Sequence, residues 1–177
     1  MARDWRRRMR RSVMWSVVVV LLAGMTVGVH GADTNFPRVR STTPAIASAL
    51  SEAASRSATF RELVRVIEGT DGIVYVEPGE CRHGVRACLS LQVVRAGAYR
   101  ILRILVAGGY DVMELMATIG HELRHAIELL TEPAVTTTAA AYNYYLREAP
   151  TAQSAFETTA AIETGIVVFK ELARSRK

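Results

Sequence analysis

The sequence predicts an α+β domain in which a small antiparallel or mixed sheet of about three strands packs on one central helix. Three segments rich in β-branched and apolar residues follow one another between residues 73 and 107. Segments with apolar residues at helical spacing lie before and after them. The strands are therefore expected to be flanked by N-terminal and C-terminal helices.

The first half of this domain begins with a polar, proline-containing segment at 33–43, which is expected to be a linker or an ordered tail. Residues 44–68 are rich in alanine and charged residues and predict one or two helices, ended by GTDG. Strands are expected at 73–77, 87–95 and 99–107.

The second half begins with the central helix. Asp111 is a suitable N-cap, Glu114 can complete a capping box, and Pro133 marks the far end. Residues 142–147 predict a short helix, and residues 154–173 predict the last one.

The first 32 residues have the pattern of an export signal. Six arginines precede an apolar run at 13–29, and small residues suitable for cleavage follow. Residues 33–177 would then form a single periplasmic or secreted domain; alternatively, residues 13–29 remain as a membrane anchor. Removal of the segment takes away six of the 22 basic and one of the 17 acidic side chains, which leaves 16 of each. The net charge of +5 therefore belongs to the segment and gives no support for nucleic-acid binding.

Both cysteines, Cys81 and Cys88, fall within the exported part, where a disulfide is favoured. Such a bond would clamp a hairpin-like connection between the first two strands. The alternative, a thiolate metal site, lacks a second close cysteine pair and would have to recruit His83.

The pentapeptide HELRH places His121 and His125 one turn apart on the polar face of the central helix. Two imidazoles at this spacing can converge on one zinc ion, while Glu122 can take a proton from a water in the open coordination position. Glu128, one turn after His125, can orient an imidazole. The alternative is an ordinary solvated polar face.

A hydrolytic zinc site needs a third protein ligand, and no third histidine follows the motif. Glu157 is favoured because its face of the last helix carries small residues, which lets that helix approach the motif closely. Glu163 lies beside Lys170 on the helical wheel and is expected to be a solvated ion-pair partner. The other downstream carboxylates are Glu128, Glu132, Glu148 and Glu171.

The segments GHELRH at 120–125 and FETTAA at 156–161 resemble the gluzincin group of zinc metallopeptidases. The resemblance covers residues 73–170 in the order of elements, with about a dozen positions carrying specific signal. It implies a zincin-like fold with a zinc cofactor. The residues it implies are the zinc ligands His121, His125 and Glu157 and the general base Glu122.

The sequence departs from this group at Ala161, where an aspartate often supports a histidine ligand. Support for the imidazoles is then expected from Glu114, Glu128 or Thr164.

These features predict an exported zinc peptidase that hydrolyses a peptide or protein substrate, with contact to a membrane only through an uncleaved N-terminal segment. The third strand, 99–107, is expected to pair with an extended substrate. Tyr145 is the candidate for stabilising the transition state, from a cluster with Tyr142, Tyr144 and Arg147. One alternative is a non-catalytic zincin-like module in which zinc stabilises an exported binding domain. The other is a metal-free helical domain.

Overall fold

The computed structural model describes residues 37–81, 84–109, 111–148 and 156–175. Five helices and four strands lie within these ranges, so the predicted α+β class is confirmed. The predicted export segment and His83 fall outside them. Among the helices that are described, none is both long and apolar enough to cross a membrane.

The four strands form one mixed sheet in the order β1-β2-β4-β3. The β1–β2 and β2–β4 pairs are parallel, whereas β3 and β4 are antiparallel. The strands are β1 (Val39–Arg40), β2 (Gly72–Pro78), β3 (Ala87–Ala96) and β4 (Tyr99–Val106). β1 lies in the segment predicted to be a linker, because a strand of two residues is too short to show an alternating pattern.

The position of β4 inside the sheet corrects two predictions. β4 lies between β2 and β3, so the disulfide loop joins strands that are not neighbours and is not a hairpin connection. Both edges of β4 are paired, with β2 from Gly72↔Arg100 to Pro78↔Val106 on one side and with β3 on the other. The segment 99–107 therefore has no free edge with which to bind a substrate, and β3 is the edge strand on that side.

Five helices pack together with the sheet, and the third of them along the chain carries the HELRH motif. They are α1 (Pro44–Arg56), α2 (Ala58–Glu68), α3 (Val112–Leu130), α4 (Thr138–Glu148) and α5 (Thr159–Arg174). Asp111 caps α3 as predicted, because its side chain accepts hydrogen bonds from the N–H groups of Met113 and Glu114.

α3 lies at the centre of the hydrophobic core. Its apolar face meets the buried side of the sheet and residues from α2 and α5, and its polar residues Glu122, His125 and Glu128 are buried with it. The largest fully buried aliphatic and aromatic side chains include Phe60, Ile67, Leu102, Ile104, Met116, Ile119, Leu123, Leu129, Tyr145 and Leu172. The site is therefore carried by the most enclosed helix of the molecule.

Glycines allow α3 and α5 to pack closely. A Cβ atom added at Gly165 would lie 3.2 Å from Cβ of His121, and one at Gly120 would lie 3.0 Å from Cγ2 of Val168. A side chain at either position would be in tight contact with the facing helix, which would have to shift by a few tenths of an ångström. The two backbones thus meet directly beside the motif.

A buried arginine from β4 binds the carbonyl groups at the C-terminal end of α3. Arg100 is 5% exposed and forms an ion pair with Asp71, whose oxygen lies 2.6 Å from Nη2. The last carbonyl groups of a helix have no partner within the helix and carry partial negative charge, which a guanidinium satisfies. Arg100 donates to the carbonyl oxygens of Leu129, Leu130, Glu132 and Val135.

We expect Arg100→Met to lower the free energy of unfolding by about 3–5 kcal/mol, because it leaves several buried carbonyl groups unsatisfied. Arg103→Met, on the same strand, is the matched control, since Arg103 is half exposed and its nitrogen lies 3.7 Å from the Glu77 carboxylate. The control should change stability by at most about 1 kcal/mol. Urea denaturation of both variants makes the comparison, and equal losses would contradict this role for Arg100.

Asp71 should make stability depend on acid pH. The hydrogen bond from Arg100 lowers the pKa of Asp71 below its usual value. A lowered folded-state pKa stabilises the protein above the unfolded pKa of about 3.9, and this contribution is lost as the pH falls through the folded value. The stability difference between wild type and Asp71→Asn should therefore narrow as urea denaturation is repeated from pH 7 to pH 3. A difference that stays constant would show that ionised Asp71 does not matter.

Candidate metal centre

The two motif histidines share one face of α3, as the spacing predicts. Their ring centroids lie 4.8 Å apart, and the side chain of His125 is 6% exposed against 17% for His121. His125 Nδ1 lies 3.0 Å from Oε2 of Glu128. Since a carboxylate only accepts hydrogen bonds, Nδ1 donates to Glu128, so Nε2 is the nitrogen that could bind a metal when it carries no proton.

Glu157 reaches the histidines from just before α5. Its Oε2 lies 3.1 Å from Nε2 of His121 and 3.7 Å from Nε2 of His125. The prediction that it stands on a helix is wrong, because Thr158 is the N-cap and its side chain accepts from the Ala161 N–H. The ligand atoms of the three residues nevertheless lie within 4.8 Å of one another.

The carboxylate oxygen that faces the histidines is buried and unsatisfied. Among the atoms of the described residues, Oε2 of Glu157 has no hydrogen-bond partner in good geometry, although both Nε2 atoms are close. Buried oxygens normally have a partner, so an orphan calls for an explanation. The nearby imidazoles of His121 and His125 lower the pKa of Glu157 far below its usual value, so the carboxylate is ionised. Two imidazoles and a carboxylate could hold a metal ion, and this donor set fits zinc as well as other divalent metals.

The backbone before Glu157 is held in an uncommon conformation. Phe156 has φ 76°, in the left-handed region that costs a bulky residue about 1–3 kcal/mol. Its ring contacts those of Tyr142 and Tyr145 edge to face, with centroids 5.4 and 5.8 Å away. These aromatic contacts oppose the strain and direct Glu157 towards α3.

Glu128 connects the ligand helix to the start of α5. Its Oε2 accepts from His125, and its Oε1 accepts from Oγ1 of Thr158 at 2.7 Å. Burial raises the pKa of Glu128, but hydrogen bonds from His125 and Thr158 outweigh burial and lower it. For His125, burial lowers the pKa, while Glu128 and Glu157 raise it to about 9. Glu128 thus fixes the orientation of one imidazole and the position of the residue that follows Glu157.

Glu122 lies between the site and the sheet. Its Oε2 accepts a hydrogen bond from the Leu89 N–H at 2.7 Å, so the edge strand β3 holds it in place. Its Oε1 lies 3.9 Å from Nε2 of His121. Burial, which exceeds the opposing effect of the two histidines, raises the pKa of Glu122. One oxygen is therefore fixed by backbone while the other faces the ligands.

Glu114 and Thr164, which were expected to support the imidazoles, make other contacts. The carboxylate of Glu114 lies 2.7 Å from Nη1 of Arg86, near the start of α3, where both side chains are partly exposed. Thr164 donates its hydroxyl to the Ala160 carbonyl of its own helix. Neither prediction of an imidazole contact is confirmed; Glu114 has the right helical face but stands two turns too far from His121.

Tyr145 does not point into the site as a transition-state stabiliser must. The side chain is 1% exposed, and its hydroxyl donates to the backbone carbonyl of His125 at 2.9 Å. The ring also contacts the His125 ring edge to face, 5.5 Å between centroids. Burial raises the pKa of Tyr145. This tyrosine fastens α4 to α3, and its hydroxyl is directed at the backbone of His125 and away from the candidate metal ligands.

The predicted disulfide is present. Cys81 and Cys88 are bonded, with 5.9 Å between their Cα atoms, and they close the loop that leads into β3. The same loop contributes residues 84–87 to one wall of a cleft of about 650 Å³, which also contains His121, Glu122 and Glu157. The bond therefore restrains a wall of the candidate site.

Sequence reasoning overlooked three residues of the site: Leu89, Phe156 and Thr158. Thr158 had a readable signal, since a threonine just before a helical segment is a common N-cap. The hydrogen bond from Leu89 and the contacts of Phe156 depend on tertiary packing and leave no pattern in the sequence.

No family model, curated protein or solved structure matches this chain.

We expect Glu128→Gln to weaken zinc binding about tenfold to a hundredfold, because the neutral amide supports His125 less well than the carboxylate does. Glu163→Gln removes an exposed carboxylate from α5 and should leave the affinity unchanged. Competition with a chromophoric chelator measures the zinc affinity of both variants and of wild type. Equal affinities in wild type and Glu128→Gln would remove Glu128 from the metal centre.

Proposed function

We propose that the protein is an exported zinc metallopeptidase with a zincin-like, gluzincin-type site. The observation that carries the proposal is the buried, unsatisfied oxygen of Glu157 beside two imidazole nitrogens, with Glu122 next to them. Two histidines and a glutamate are a known ligand set of hydrolytic zinc enzymes. His121, His125 and Glu157 would be the ligands.

Zinc, when bound, would supply a Lewis acid that polarises a carbonyl group and lowers the pKa of a water to about 7. The residues of the chain supply proton transfer and position. Glu122 would take a proton from the attacking water at Oε1, since its Oε2 is held by Leu89, and would then protonate the leaving amine. The raised pKa of Glu122 suits a group that must hold a proton during the reaction.

A peptide fits this site because an edge strand borders it. β3 is the last strand of the sheet, and its Leu89 N–H points away from β4 towards Glu122. An extended chain lying along β3 could hydrogen-bond with backbone groups that do not pair with β4 and pass in front of Glu122.

The same hydrogen bond favours a second candidate, a zincin-like module in which zinc only stabilises the domain. Glu122 is 6% exposed and already has a backbone partner, as a structural carboxylate would. In this case chelation should lower the melting temperature strongly in a protein that hydrolyses no peptide.

We expect Glu122→Gln to reduce hydrolysis of a casein or peptide-library substrate by about 10²–10⁴-fold while one zinc per chain is retained. The amide keeps the shape of the side chain but cannot accept the proton. Glu148→Gln, on the exposed surface of α4, is the matched control and should keep full activity.

Two measurements distinguish the peptidase from the module that zinc only stabilises: the rate of peptide hydrolysis, and the zinc content by elemental analysis. Unchanged hydrolysis in Glu122→Gln would end the peptidase proposal. Purified wild type that binds no stoichiometric zinc would end both zinc proposals.

A further inference from the structure

The exposed face of α5 carries an apolar surface that the proposed chemistry does not use. Ile162, Ile166 and Phe169 follow one another at helical spacing and are 47, 48 and 39% exposed. Single exposed apolar side chains are ordinary, whereas a contiguous group marks a binding surface. This group begins one turn after Glu157.

The three residues form one wall of the cleft that contains the candidate metal ligands. The disulfide-closed loop also lines the cleft, and its Val85 is 47% exposed. Ala117, Thr118 and His121 of α3 complete the lining between them. The cleft volume of about 650 Å³ falls in the range of sites that enclose ligands.

The cleft runs from the metal ligands towards the start of α3. Thr158 contacts Glu128, whereas Gly165 lies against Ala117 and His121, so α3 and α5 are antiparallel. Moving along α5 from Glu157 to Phe169 therefore leads away from the ligands. From Ile162 to Phe169 the helix rises about 10 Å, at 1.5 Å per residue.

We propose that this cleft binds an extended substrate segment with apolar side chains at alternate positions on one side of the bond to be cleaved. This inference rests on the proposed peptidase function and specifies its substrate class. About 10 Å corresponds to three residues of extended chain at about 3.3 Å each. Side chains alternate in such a chain, so the first and third point to the same wall.

An extended chain, rather than a folded surface, fits both borders of the cleft. The exposed residues 84–86 line the cleft and lead into the edge strand at Ala87, so the backbone of a bound segment could run along this border. Its apolar side chains would then cover Ile162, Ile166 and Phe169. Chains with this alternation form strands that bury one face in folded domains, so they become accessible for cleavage when a protein is unfolded or extended.

Direct binding tests this inference without requiring turnover. The protein is the zinc-loaded chain carrying Glu122→Gln. The probes are two fluorescein-labelled octapeptides of equal charge, one alternating Val, Leu and Phe with Ser, and one with those apolar residues replaced by Gln. Anisotropy should show at least tenfold tighter binding of the apolar peptide.

Ile166→Ser, added to this protein, should weaken binding of the apolar peptide about tenfold or more, because it removes most of one apolar contact. Val167→Ser is the matched control: Val167 is 41% exposed on the same helix but does not line the cleft. Ile162→Ser should repeat the effect of Ile166→Ser. All three side chains are exposed, so the variants should fold.

Equal binding of the two peptides, or equal effects of Ile166→Ser and Val167→Ser, would overturn the inference. Conversion of a dimer to a monomer by Ile166→Ser in sedimentation would also overturn it, by showing that a second copy covers the face. Failure of the peptidase proposal looks different: wild type would hydrolyse nothing, while binding that depends on Ile166 would still be measured.

Discussion

The close contact between α3 and α5 is the constraint on which the site depends. Gly120 and Gly165 let the backbones meet, and the hydrogen bond from Thr158 to Glu128 fixes the start of α5 against α3. Glu157, one residue before Thr158, is thereby carried to both imidazoles. A Cβ atom at Gly165 would lie in tight contact with Cβ of His121. The geometry of the three candidate ligands therefore depends on how closely the two helices pack.

This packing buries polar groups, and the free-energy cost of removing them from water is offset by hydrogen bonds to neighbouring residues. His125 and Glu128 satisfy each other, and Thr158 satisfies the second oxygen of Glu128. Glu122 accepts from the edge strand, while Arg100 satisfies the carbonyl groups at the far end of α3. Buried polar groups with partners add specificity, whereas each unpaired one destabilises the protein by about 1–3 kcal/mol. The carboxylate oxygen of Glu157 has no hydrogen-bond partner in good geometry among the described residues, and this fits a group that could bind a cation.

The sequence predicted the parts of this arrangement that repeat at a fixed spacing. The one-turn interval between His121 and His125 placed both rings on one face, and the N-cap at Asp111 located the start of α3. Glu157 was also selected, although by an incorrect argument, since it precedes α5 and does not stand on it.

The strand order was not predictable, because β2 pairs in parallel with β4 and not with the next strand in the chain, β3, and residue spacing does not encode such a crossover. The direction of individual side chains was not predictable either. Nothing in the sequence tells whether Tyr145 points to a cleft or to the backbone of His125.

α5 has a buried face and an exposed face, and in the proposed function this division would link the candidate metal centre to substrate recognition. Its buried face, with Ala161, Val168 and Leu172, packs into the core, so the helix cannot shift without moving Glu157. Its exposed face presents Ile162 and Ile166 to the cleft. A substrate that packs against the exposed face therefore presses on an element whose position is already determined by the core. In the proposed function, contacts along α5 would help to orient the scissile bond towards Glu122, because Ile162 and Ile166 lie on the helix that begins directly after Glu157.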